Sequence, residues 1–248
     1  MKEYQVSDLF FNDWKHLQPK QMFKVFTLYQ ELLTISKTDK NYGLVLIAIL
    51  RLLRRRPLLV DKINEAQAVD CFNELKFLNE PWHFFPELRH LVTPDECIGR
   101  HTFDHFIYAD GEFTSYLVKR DESYLRKLVV TLYQESKDEH FDRDEVKFRA
   151  TYLQATPWQL MLVFYTFGHV RTFITNRCKH LLPKPPKSDE PQTPKVSFPM
   201  WDDIKHSAAR TLVFGSFADT GRANVYDVLD HLEKLAKEQA ERKQHATT

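Results

Sequence analysis

Apolar side chains recur at spacings of three and four through most of this chain, and that period matches a helix with one covered face, not a strand. After Pro19 the stripe runs Met22, Val25, Phe26, Tyr29, Leu32 and Leu33, with Lys20, Lys24, Gln30 and Glu31 opposite it. This predicts an amphipathic helix that has proline near its first turn. Residues 44–53 are apolar nearly all round, which predicts a central, covered helix. That helix closes on Arg51, Arg54, Arg55 and Arg56 ahead of Pro57. Cations there complement the helix dipole, and proline forbids continuation. Residues 63–78 predict a third helix with Ala66, Val69, Phe72, Leu75 and Leu78 inward.

The second half repeats the pattern. Thr102 and Asp121 are placed to cap helices carrying Phe103, Phe106, Ile107, Phe113, Tyr116 and Leu117, then Leu125, Leu128, Val129, Leu132 and Tyr133. Residues 145–153 predict a short helix, and Thr156 with Pro157 opens a longer one towards Cys178. With only 6 glycines in 248 residues, helices are favoured over a sheet built from many tight hairpins, and no glycine-rich phosphate loop is expected. The expected fold class is therefore all-α.

Domain organisation follows from a change in composition. Pro183, Pro185, Pro186, Pro191, Pro194 and Pro199 hold half of the 12 prolines, among Lys, Ser, Asp and Glu. The expectation is a helical domain over 1–182, a Pro-rich linker over 183–199 and a small helical C-terminal lobe over 200–248. In that lobe 201–214 and 224–240 read as helices, with a turn at Gly215 and Gly221 between them.

Several function classes are disfavoured. The charge balance is 35 basic against 34 acidic residues, which argues against non-specific tracking of nucleic acid. The 3 cysteines, Cys71, Cys97 and Cys178, never form a CxxC pair, which points to a reducing compartment and a cytoplasmic location. Glu3 and Asp8 interrupt the first residues, so no signal peptide is expected, and the longest apolar run is too short for a membrane span. There is no GxSxG elbow and no calcium loop, since the acidic run Asp138, Glu139, Asp142, Asp144, Glu145 lacks its central glycine. No catalytic residue, metal set, cofactor or small-molecule substrate is assigned.

Three constellations remain. Cys97, His101 and His105 stand at i, i+4 and i+8, a stripe able to hold a soft metal on an unbroken helix. Gly99 interrupts that helix, so the expectation is two surface histidines beside a helix start and no metal. Arg51, Arg54, Arg55 and Arg56 are expected at the rim of a partner surface. Phe84, Phe85, Phe214 and Phe217 lie in irregular segments, where aromatic rings are readily spared for a partner. The expected function is a non-enzymatic interaction, with a protein partner or by self-association. The alternatives are a nucleic-acid-associated regulator using the arginine end, whose affinity would fall steeply with salt, and an enzyme with an unrecognised pocket.

One resemblance adds to this. Thr102, Phe103, Phe106, Ile107, Ala109, Asp110, Leu132 and Tyr133, together with residues 201–235, resemble a pattern in uncharacterised helical proteins of Bacteroidetes phages and prophage-like elements. The resemblance implies a structural role in virion or tail assembly, in the host cytoplasm or the virion. It implies no catalytic residues.

Overall fold

Most helices start where the sequence supplies a side-chain oxygen for an orphan N–H. Asp39 accepts from the Asn41 N–H at 2.8 Å, Asp121 from Ser123 at 2.9 Å, and Asp142 from Asp144 at 2.8 Å. Ser216 and Asp219 form a reciprocal capping box. Pro19 and Pro157 each occupy the first helical position, where a missing N–H costs nothing.

The computed structural model describes residues 9–36, 39–55, 65–88, 91–133, 141–182 and 201–246. It is all-α. The helices are α1 (Pro19–Thr34), α2 (Lys40–Leu53), α3 (Glu65–Glu74), α4 (Phe103–Lys119), α5 (Glu122–Leu132), α6 (Arg143–Tyr152), α7 (Pro157–Arg177), α8 (Trp201–Arg210), α9 (Phe217–Arg222) and α10 (Val225–Ala246). Isolated bridges join Phe10 with Arg54 and Thr102 with Asn224.

The chain forms two compact units, Met1–Trp82 with Thr156–Leu162, and His83–Ala155 with Val163–Thr248. In the first unit, α1 packs on α2 and α2 on α3. Its core takes Met22, Val25, Phe26, Tyr29 and Leu32 from α1 and Val45, Leu46, Ile49, Leu50 and Leu53 from α2. Trp14 closes one side, 4.9 Å from the Trp82 ring and edge-on to Phe77 at 5.3 Å. The segment before α1 is pinned by the Phe11 N–H on the Leu53 carbonyl, 2.9 Å, and the Arg55 N–H on Leu9, 2.8 Å.

In the second unit α4 packs on α5, α9 and α10, and α5 packs on α6. Phe103, Phe106 and Phe113 meet Phe167 of α7 and Trp201 of α8, and Phe113 stacks on Phe164 at 4.5 Å. Two carboxylates, the buried Asp110 and the half-buried Asp104, tie α8 to α4. Asp110 accepts from the Arg171 Nε and, at 2.8 Å, from the Trp201 indole N–H. Lys205 Nζ donates to Asp104 at 2.6 Å. Gly221 is buried against this second pair, and a Cβ there would overlap the Asp104 carboxylate. That close approach is why glycine stands inside α9 instead of in the expected turn. Gly215, at φ +84°, does make a turn.

The domain division differs from the expectation. Residues 201–246 belong to the second unit with 83–155, because buried polar contacts and the Val225, Val228, Leu229 and Leu232 face of α10 are completed there. The Pro-rich segment 183–199 lies outside the described residues. Three residues read as inward are exposed: Leu33 at 63%, Leu44 at 67% and Val69 at 41%. Thus α2 is covered along one face only, and its Leu44 flank is open. The helix expected over 201–214 stops at Arg210, and Leu212 takes a left-handed φ of +58°. The helix expected over 63–78 is α3 followed by a 3-10 turn at Lys76–Asn79, with 61–64 outside the described residues.

Candidate functional site

α1 and α2 form an antiparallel pair. The end of α2 is fastened to the start of α1 by Gln21, whose amide Nε2 donates to the Leu52 carbonyl. Because the core takes one stripe from each helix, the flanking positions are left outside it. Phe23, Lys24, Thr27 and Leu28 of α1 face Ala48, Arg51, Leu52 and Arg54 across an open groove of about 610 Å³. Its floor is apolar. Its rim carries Lys24, Arg51 and Arg54, and none of its lining residues is acidic.

Helix physics explains why the cations gather at one end. Arg51 lies in the last turn of α2 and Arg54 is its C-cap, where the carbonyl end of the helix favours positive charge. The Gln21 contact brings the start of α1, and with it Lys24, to the same end. The arrangement can hold an amphipathic partner by covering the floor and pairing anions at the rim. Its lining holds no carboxylate, imidazole or thiol.

Of the arginines singled out by sequence, Arg51 and Arg54 line the groove. Arg55 does not. Its guanidinium lies over the Phe11 ring at 5.1 Å and its backbone is held by Leu9. Arg56 lies outside the described residues. Sequence reasoning missed Phe23, Lys24, Thr27, Leu28, Ala48 and Leu52. The available signal was the all-round apolar character of 44–53, which exceeds what one covered face can use.

The four phenylalanines differ in exposure. Phe85 is buried, edge-on to Tyr133 at 6.1 Å, and Phe84 is half-buried. Half-buried Phe214 meets the His231 ring edge at 5.6 Å. Phe217 is partly exposed but engaged, with Lys205 Nζ 4.0 Å above its ring and His206 stacked at 4.3 Å.

The histidines also differ from expectation, since His101 and His105 are buried. His101 Nε2 lies 2.9 Å from the Leu132 carbonyl; a carbonyl only accepts, so Nε2 carries the proton. His105 Nδ1 shares a hydrogen bond with the Thr102 hydroxyl at 2.8 Å. Burial lowers the pKa of both, that of His105 to about 3. Burial and the neighbouring Glu96 and Asp95 push the Cys97 thiol up to about 11, so it stays protonated and unreactive at neutral pH. The left-handed backbone at Cys97 and Ile98 breaks the helix that the stripe would need. Among the described residues no group of three or more histidine, cysteine or acidic side chains converges as a metal site, and no helix is long and apolar enough to cross a membrane.

Comparison with protein-family models, with curated proteins and with solved structures finds no match.

Proposed function

We propose that this chain is a non-enzymatic interaction protein that helps assemble a larger structure, and that a protein partner docks in the groove between α1 and α2. The observation that carries this reading is an open apolar floor bordered by Lys24, Arg51 and Arg54. An apolar centre with arginine at its edge is the composition of a protein interface. The resemblance of 101–110, 132–133 and 201–235 to helical phage proteins supports virion or tail assembly as the setting.

The test is a photo-reactive amino acid at Thr27, which is exposed inside the groove, introduced into the full chain in the cells that make it. The expected result is a discrete protein cross-link that disappears when Ala48→Glu blocks the floor, with the thermal midpoint unchanged. Cross-links to nucleic acid alone, or a protein cross-link that survives Ala48→Glu, would rule the reading out. The first of these outcomes would favour the arginine end as a nucleic-acid contact.

A further inference from the structure

We infer that the occupant of the groove is an acidic amphipathic helix, a segment of a protein partner whose carboxylates sit at one end of its apolar stripe. This rests on the groove being the docking surface.

The shape argues for a helix. Leu44, Ala48 and Leu52 stand at i, i+4 and i+8 on α2, which is about 12 Å of axial rise, or just over two turns. Leu44 is 67% exposed and continues the line of the two lining residues beyond the groove. Leu28 and Phe23 form the facing wall. Ala48, small and flanked by two leucines, leaves a hole of the kind that a knob from a third helix fills. An extended peptide would need free backbone N–H and C=O groups on the wall to pair with its own. Both walls are mainly helical, so most of those groups are already used along the ladder, and the last-turn Leu52 carbonyl is taken by Gln21. A helix brings its backbone bonds with it.

The charge argues for acidity. Lys24 and Arg51 border the apolar floor, and none of the lining residues is acidic. They cluster where α1 begins and α2 ends, while the Leu44 end adds an apolar side chain. The complement is a segment with Asp or Glu within a turn of one end and aliphatic or aromatic residues at i, i+3 or i+4, and i+7. A nucleic-acid strand would match the cations but leave the leucine floor unused.

The experiment is selection from a displayed library of helical peptides of about 16 residues, long enough to hold a helix when biased towards it. Apolar and charged positions are randomised, the target is the full chain, and the Ala48→Glu variant serves as counter-target. Enriched peptides are expected to carry the apolar i, i+3/i+4, i+7 stripe with carboxylates near one end. Lys24→Glu combined with Arg51→Glu should weaken them about tenfold or more, and lysine-substituted peptides should recover binding to that double variant. Leu44→Glu, at an exposed position, is the second blocking variant should Ala48→Glu lower the thermal midpoint. Selection of basic, uncharged or proline-containing extended sequences overturns the inference, as does equal enrichment on a blocked variant or no enrichment at all. Concentration-dependent mass of the chain alone, abolished by either blocking variant, assigns the groove to a second copy and overturns the acidic helix. In each of these cases the Thr27 cross-link still decides separately whether the groove is a docking surface.

Discussion

His105 shows how much a single buried side chain can impose. Its ring sits against Phe141 at 4.9 Å and the His101 ring at 5.6 Å, with the Thr102 hydroxyl as its polar neighbour. Burial first, and His101 second, lower its pKa from 6.5 to about 3. Between those values the unfolded chain binds a proton that the folded chain refuses. Stability from this site is therefore complete above pH 6.5 and drains as pH falls towards 3. The slope is about 1.4 kcal/mol for each pH unit inside that window, and His101, shifted the same way, adds to it. Urea unfolding at pH 7, 5.5 and 4 should show this loss, and His105→Gln should reduce its slope. Parallel profiles for the two proteins would show that another group governs acid sensitivity. The sequence hid this because burial of both histidines depends on a bridge made across a long separation. The Val225 N–H donates to the His101 carbonyl at 3.0 Å, and the Phe103 N–H to Ala223 at 2.9 Å.

At the scale of elements, period and caps were legible and coverage was not. Pro19, Thr102, Asp121 and Pro157 mark helix starts in the sequence, and all four do so in the structure. The three-and-four spacing states which residues share a face; it does not state which faces meet another element. Leu33, Leu44 and Val69 were misplaced for that reason. The groove was half legible: Arg51 and Arg54 stand out beside Pro57, but Lys24 and Leu28 join them only once α1 and α2 lie antiparallel. A matched pair of substitutions checks the division of α2 into covered and open faces. Leu44→Glu should change stability by less than about 0.5 kcal/mol, as at an ordinary surface site. Leu46→Glu, two residues on, puts a carboxylate into a position that is 1% exposed and should cost several kcal/mol, on the order of 3–5. Thermal melts of the two variants compare them directly, and similar losses would mean that the open face is covered in solution.

At the scale of the whole chain, the C-terminal helices belong to a core and not to an appendage. A chain ending at Leu182 would lose the Trp201 donor to Asp110, the Lys205 partner of Asp104, and the buried Val225, Val228, Leu229 and Leu232 face. It leaves two carboxylates short of partners beside uncovered Phe103 and Phe106, a combination that costs more than a small unit can supply. Amide exchange over α4 and α5 should lose its protection in the truncated chain, and retained protection would restore the idea of a tethered lobe. The division of α7 has a different outcome. Its opening residues, Thr156–Leu162, count with Met1–Trp82, while Val163 onward counts with the other unit. No single cut can release either unit whole, so limited proteolysis will not yield a minimal fragment of the first. During synthesis the first unit must wait, unfinished, until residue 162 has cleared the ribosome, by which time 83–155 has already emerged.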